Sequence, residues 1–503
     1  MIEQILLPLL DIKLFILVAL GTLFGFIIGA LPGLSVTMAV TLLVSLTYTW
    51  DTLPAIMVMI AVFFGGVYGG SRTAILINIP GTVSSLAATF DGYPLTQRGE
   101  AGRAIGISTI VSVIGGLLGL IILATSAPLL ANLALQFAPR DYFLIMFLGI
   151  LLVGSLTTDY MPKSVFVAGA GILFGLVGID TMTGVPRFTF GSLELMGGIN
   201  YIACLLGLFG LAEVFYQLHN LGKSKVKVVI GKVLPPLVMI LKYLPLSIRT
   251  SLIGVIVGIL PGAGGEIASL LAYDHAKNTT KNPSRPFGKG AYEGLIAPET
   301  AVMSAVGASL IPTLTLGIPG DAVTAVLIGA LLIHGLNPGP MLLVETPEIF
   351  WVIVGTSAVS LIFVLIWGLS AVTTFARVIS IPKYILLPVI VFFSVIGAYG
   401  INNSVTDVYW MIGFGVIGYF MKIYNFPPGP MVLGIILGPM MDVYLRRSII
   451  SEEGSVLGFL GSLVTNPISF ILTLIVVLTL FTQTALYRKL KNKMFKKKLK
   501  VNQ

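Results

Sequence analysis

Charge is missing from long stretches of this chain. Residues 14–50, 104–139, 142–158, 300–320, 349–376, 384–406 and 454–487 contain none. About 20 consecutive apolar residues cross a bilayer as a helix, so the longer runs must hold paired spans, hairpins or re-entrant segments. On that ruler the pattern predicts an all-α polytopic membrane protein with about 10–12 transmembrane helices, some of them broken.

Two apolar segments are interrupted in the same way. "GFIIGALPGLSVTMAVTLL" (25–43) and "GVIVGILPGAGGEIASLLAY" (254–273) align Gly25 with Gly254, Gly29 with Gly258, Pro32 with Pro261 and Gly33 with Gly262, at a constant offset of 229. A second pair, "LINIPGTVSSLA" (76–87) and "TLGIPGDAVTAV" (315–326), aligns Ile79-Pro80-Gly81 with Ile318-Pro319-Gly320 at offset 239. Two motifs recurring in the same order point to an internal duplication. The expected organisation is a first membrane repeat over 1–217, a basic cytoplasmic linker over 218–249, a second repeat over 250–487 and a basic cytoplasmic tail over 488–503. The number of crossings between the repeats decides whether they are parallel or inverted, and the inverted arrangement is preferred here.

Proline removes a backbone donor and glycine permits angles that other residues avoid, so Pro-Gly inside a span ends one half-helix and starts another. The exposed starts carry partial positive charge and suit an anion, while freed carbonyls suit a cation. Such backbone persists at membrane depth only when buried in protein or lining a cavity. Paired interruptions of this kind are the sequence pointer to a secondary transporter. The residues expected around substrate are Pro32, Gly33, Leu34, Ser35, Asn78, Pro80, Gly81, Thr82, Ser84, Ser85, Pro261, Gly262, Ala263, Gly264, Pro319, Gly320 and Thr324. For the hydroxyls among them, capping a helix start is the competing role. Acidic groups within apolar sequence mark functional positions, so Asp321, Glu266 and Glu299, with the amide of Asn78, are the candidates for a coupling cation, Na+ or H+. Solvation at a membrane interface is the alternative for each carboxylate.

Composition agrees: of 503 residues, 56% are apolar and 10% charged, where a soluble domain carries about 25% charged residues. The net charge of +9 belongs to a few loops and reports topology, not nucleic-acid binding. Lys223, Lys225, Lys227, Lys232, Lys242 and Arg249 share one loop, and Arg488, Lys489, Lys491, Lys493, Lys496, Lys497, Lys498 and Lys500 crowd the end. Both are read as cytoplasmic, together with the loop from Lys277 to Lys289. The opening "MIEQILLPLLDIKLF" lacks a basic n-region and a small-residue cleavage site, so the first span is expected to stay. The single cysteine, Cys204, permits no internal disulfide. His219, His275 and His334 are scattered without an H-E-x-x-H pair, no phosphate-binding loop is present, and Tyr273-Asp274 lacks the Gly-x-Gly-Asp partner of an intramembrane protease. No enzyme activity and no resident cofactor or metal are expected.

The stretches "GALPGLS" (29–35), "YGGSRTAILINIPGTVSSLAATFDGYPLTQRGEAGRA" (68–104), "GILPGAGGEIAS" (258–269) and "FGKGAYEGLIAPETAVMSAVGASLIPTLTLGIPGDAVTAVLIGALLIHGLNPGP" (287–340) resemble the TctA family, the large membrane subunit of tripartite tricarboxylate transporters. The resemblance implies a bacterial inner-membrane permease that takes a small carboxylate from an extracytoplasmic solute-binding protein (TctC-like), works with a small membrane subunit (TctB-like) and runs on an ion gradient. Where many relatives carry an Asn-Asn pair this chain has Val302-Met303, which implies a carboxylate or ion preference of its own. A non-transporting receptor for a solute-binding protein and a passive carboxylate channel are the rival readings; the first predicts binding without flux, the second flux without accumulation.

The charge distribution yields a direct test of topology. Green fluorescent protein fused after the basic tail should fluoresce and alkaline phosphatase fused there should be inactive; active phosphatase would place the tail outside the cytoplasm.

Overall fold

The computed structural model describes residues 2–31, 34–156, 161–219, 233–262, 264–370 and 383–483. Lys223, Lys225, Lys227 and Lys232 of the basic linker and the whole basic tail lie outside them. In hydrocarbon every backbone N–H and C=O must find a partner within the protein, and an α-helix supplies these partners from its own chain. The described residues are accordingly mostly helical, and the strands among them form one antiparallel pairing of two residues each, β1 (Gly178–Ile179) with β2 (Pro186–Arg187).

In chain order the helices are α1 (Ile2–Leu10), α2 (Ile12–Ala30), α3 (Val36–Thr47), α4 (Thr52–Ile77), α5 (Leu86–Gln97), α6 (Ala101–Ala134), α7 (Pro139–Leu156), α8 (Met161–Gly175), α9 (Leu193–Met196), α10 (Tyr201–Leu205) and α11 (Ala212–His219). There follow α12 (Leu237–Ile259), α13 (Gly264–Thr279), α14 (Tyr292–Leu316), α15 (Ala322–Ile333), α16 (Pro340–Glu345), α17 (Pro347–Ser370), α18 (Lys383–Asn402), α19 (Val405–Ile423), α20 (Pro428–Ser451), α21 (Val456–Thr465) and α22 (Pro467–Gln483). A π-helical turn, Leu206–Leu211, joins α10 to α11 in one span that buries Cys204. By length and composition eight helices among the described residues can cross a membrane, or nine if the pair bent by 96° at Asn466 is one span. That is fewer than the about 10–12 expected from uncharged run length. Apolar helices of 10–17 residues, such as Val36–Thr47 and Ala322–Ile333, account for part of the difference, being too short to cross alone.

The chain forms two compact units, one of Met1–Ala134 with Ile199–Asn425 and the other of Leu135–Gly198 with Phe426–Gln503. All four Pro-Gly interruptions belong to the first. There α2 lies along α4, and α12 along α14. Lipid offers no hydrophobic drive between helices, so close contact through small residues must hold them. A side chain on Gly25 would strike the backbone of Val62, and one on Gly29 the backbone of Gly66. In the second half Gly254 meets Ala301 and Gly258 meets Ala305. These partners differ by the same 229 on one helix and 239 on the other as the sequence motifs do.

At the centre of this unit α14 is buried at every residue from Tyr292 to Thr315. Helix α6 reaches it through Gly115 and Gly119, which sit on the backbones of Thr300 and Ser304, while Gly116 faces Leu361 of α17. Those glycines therefore serve close packing.

In the second unit α8 packs on α20 through Gly171 against Met431 and Gly175 against Ile435. The loop after α8 folds over a carboxylate. Asp180 accepts from Thr183, from the Met182 N–H at 3.2 Å, from Arg187 at 2.7 Å and from Arg446 at 2.9 Å, and Arg187 also binds Asp442 at 2.8 Å. The Thr183 hydroxyl first, then the Met182 N–H and the two guanidinium charges, outweigh burial and hold the Asp180 carboxyl down at about 2. A carboxyl depressed on folding adds stability that is present above its unfolded value near 4 and is lost as pH falls through about 2. Melting followed in detergent should therefore show a loss across that acid window, and Asp180→Asn should flatten it; identical acid profiles for the two proteins would remove Asp180 from the account.

Candidate functional site

Each interruption leaves a helix end and a new helix start, and the local sequence determines how each is finished. In the first half α2 ends on Leu31 in an extended conformation, and Ser35 caps α3 by accepting the Met38 N–H at 3.0 Å. Leu34 is buried behind it; Pro32 and Gly33 lie outside the described residues. In the second half α12 ends on Leu260, also extended and at the aligned position. Half-buried Pro261 and Gly262 follow, Ala263 lies outside the described residues, and Gly264 opens α13 at φ +52.

The two Ile-Pro-Gly breaks are finished alike. Helix α4 ends on Asn78 and α14 on Gly317, aligned residues that both adopt the left-handed conformation at φ 57 and 69. Asparagine and glycine are the residues that tolerate it. Asn78 thus has a structural reason to be there: it is exposed and ends a helix. After Pro80 and Gly81, Thr82 and Ser85 cap each other, the Thr82 N–H donating to Ser85 at 3.3 Å and the Ser85 hydroxyl donating to the Thr82 carbonyl at 2.7 Å. The Thr82 and Ser84 hydroxyls lie 3.0 Å apart. After buried Pro319 and Gly320, Asp321 caps α15, accepting the Thr324 N–H at 2.8 Å and its hydroxyl at 2.9 Å, while its own N–H donates to Thr324 at 2.8 Å. The hydroxyls singled out from sequence are mostly engaged in caps.

Tertiary packing brings the breaks together in two contacts. Within the first half Gly81 sits on the Gly29 carbonyl and the Gly70 backbone, where no side chain fits. Across the halves, the start of α13 meets both later breaks. A Cβ on Gly264 would come within 3.1 Å of the Asp321 Cβ, and one on Gly265 within 3.4 Å of the Ser84 Cβ and 3.3 Å of Val302. Glu266 stands exposed in the first turn of α13, two residues after Gly264, which lies beside Asp321. A single locality thus holds the starts of α13 and α15, the turn Val83–Ser85, two carboxylates and several hydroxyls. Helix starts attract anions and carboxylate oxygens attract a cation, so both charge types find partners here.

Glu299 has partners of a different kind. It is 3% exposed, paired at 3.1 Å with Arg72 at 2%, and accepts from Ser108 and from Ser112 at 3.3 Å. Arg72 also donates to Ser108 and to the Ile105 carbonyl at 3.3 Å, and lies 4.1 Å over the Tyr68 ring. Removing one member of such a pair strands a buried charge at a cost of about 3–5 kcal/mol. Sequence reasoning passed over Arg72, although it stands in apolar sequence as Glu299 does and the same argument from burial cost applies to it. It also passed over Asp91, a carboxylate with no exposure at all on α5. Among the described residues no group of three or more His, Cys, Asp or Glu side chains is arranged to hold a metal ion.

Comparison with known proteins places these features in a family. The family model described as "Tripartite tricarboxylate transporter TctA family" matches residues 15–433. An "Uncharacterized 52.8 kDa protein in TAR-I ttuC' 3'region" of Agrobacterium vitis is 36% identical over 452 residues, 89% of each chain. An "Uncharacterized protein in TAR-II ttuC' 3'region" of the same organism is 39% identical over 216 residues, 43% of this chain and 87% of that relative. No solved structure matches. With multiple membrane-spanning helices and a family match across most of its length, the chain is a multi-pass membrane protein that belongs to the tripartite tricarboxylate transporter TctA family.

Proposed function

We propose that this chain is the large permease subunit of a binding-protein-dependent secondary transporter, importing a small citrate-like di- or tricarboxylate by symport with Na+ or H+ through alternating access. It sits in the bacterial cytoplasmic membrane with its carboxyl end inside, and works with a small membrane subunit and an extracytoplasmic solute-binding protein. The tripartite family it belongs to supports the presence of further subunits.

The observation that carries this reading is the meeting of interruptions from both halves: Ser84 beside Gly265, and Asp321 beside Gly264. Substrate carboxylates are assigned to the backbone and hydroxyls around 32–35, 80–85, 261–264 and 319–324, where half-helix starts supply positive ends without a buried lysine or arginine. Asp321 and Glu266 supply oxygens to the coupling cation, with Asn78 at the rim. Glu299, held by Arg72, has a bracing role instead. The halves are read as inverted repeats. Matched glycine contacts support the repetition, and the pairing of Arg72 near the end of α4 with Glu299 near the start of α14 supports opposed directions. Two spanning helices bring such positions to one depth when they run antiparallel.

The test is uptake of labelled di- and tricarboxylates into proteoliposomes with both partner subunits, under an imposed Na+ or H+ gradient. Accumulation above equilibrium with one gradient is expected; equilibration alone would mean a channel, and no flux would mean a receptor. Asp321→Asn separates charge from folding, because asparagine caps a helix start about as well as aspartate. The variant should express normally and lose ion-driven accumulation by about tenfold or more, corresponding to about 1.4 kcal/mol. Wild-type accumulation by this variant would discard Asp321 as a coupling group.

A further inference from the structure

Helix α5 starts just after the first Ile-Pro-Gly break and, in its second turn, buries Asp91 completely. No cation meets this carboxylate among the described residues. It accepts the Gly290 and Ala291 N–H groups, both at 2.8 Å, and the Tyr273 hydroxyl at 3.0 Å. Gly290 and Ala291 immediately precede α14, so a residue of the first half caps, from outside, the helix that runs to the second Ile-Pro-Gly break. An anion at a helix start is favoured by the unpaired N–H groups there. The cap is also built into the packing, since a side chain on Gly294 would occupy the place of the Asp91 carboxylate.

A second set of contacts lies beside it. At the turn between α5 and α6, Glu100 accepts from Arg285 at 2.6 Å and from the Tyr292 hydroxyl, and Arg103 donates to the same hydroxyl at 3.3 Å. Arg285 donates onward to the Gly290 carbonyl at 3.3 Å, and Glu293 accepts both the N–H and the hydroxyl of Ser284, at 2.9 and 2.6 Å. Every partner of Asp91 and Glu100 outside their own segment comes from Tyr273 or from 285–292, the connection from α13 to α14. The last turn of α13 and that connection carry Lys277, Lys281, Arg285 and Lys289, which mark the cytoplasmic side.

We infer that Asp91 and Glu100 are the latch of a cytoplasmic gate, closed in this structure. The inference rests on the alternating-access reading and adds which contacts must break for the inward-facing state to form. Helix α5 is the lever. The turn Val83–Ser85 that leads into it places Ser84 beside Gly265 at the candidate site, and its middle and far end hold the latch, with Gly92 lying close against Ile75 of α4 and Leu295 of α14. Movement at the break is thereby passed to the cap on α14. Asp91 and Glu100 are positioning residues, not ligands.

The test reads exposure instead of transport. In a Cys204→Ala background, Thr89→Cys puts a thiol on α5 at a position that is buried while the latch holds. Inside-out vesicles are treated with a membrane-impermeant maleimide. Asp91→Leu removes the acceptor, and Gly294→Ala displaces it without changing any charge. Both should speed labelling at position 89 by about tenfold, the signature of a shifted population. A Met57→Cys probe in the α4 core stays protected if only the gate has opened; exposure at both positions reports misfolding and overturns the gate assignment. Unchanged labelling at position 89 in both variants also overturns it. Faster labelling with position 57 protected upholds the latch even if no carboxylate is ever accumulated, a result that would count against the transport reading alone.

Discussion

A helix that stops inside a bilayer leaves N–H and C=O groups that lipid cannot satisfy. The architecture of the first unit follows from that constraint. Four interruptions must be buried against protein or finished by their own side chains, and both devices are used. Gly29, Gly81, Gly264 and Gly265 let backbone approach backbone or side chain closely. Ser35, the Thr82–Ser85 pair and the Asp321–Thr324 pair close the exposed starts. The fully buried α14 supplies the surface against which α5, α6, α12 and α13 are assembled.

Charge is distributed by the same economy of burial. Arg72 and Glu299 neutralise one another in the core of the unit, where either alone would be prohibitively placed. Asp91 finds its partners in backbone N–H groups, as carboxylates at helix starts do. Asp321 and Glu266 differ from both. They flank the contact of Gly264 with Asp321, with neither paired to an arginine or lysine among the described ion pairs. Two carboxylates beside helix starts, with no arginine or lysine paired to either among the described ion pairs, form a locality whose electrostatics improve when a cation arrives, and this separates them from carboxylates already neutralised by bracing. Capping and ligand binding are compatible for Asp321, because a carboxylate offers about four lone-pair sites and its cap uses part of them.

Membership in the family and helical membrane character were legible in the residues, since uncharged runs and Pro-Gly motifs are local properties of sequence. The equivalence of Asn78 with Gly317 was legible too, from the constant offset of 239, although its cause, a left-handed helix end, was not. Run length does not distinguish a crossing helix from a short one buried beside it, as with α3 and α15, and eight or nine spans are recognised among the described residues.

By itself the sequence determined where helices break, since proline and glycine act on the backbone at their own positions, and which segments are too apolar for water. Tertiary structure decided which breaks meet, and so separated Asp321 and Glu266 from Glu299, three carboxylates that look alike in the sequence. Their difference lies in partners contributed by distant segments: Arg72 and Ser108 for Glu299, Gly264 for Asp321. It also decided that Asp91, an unremarked acid in a polar stretch, caps a helix about 200 residues away. Pairing energy depends on distance in space, which spacing along the chain does not encode.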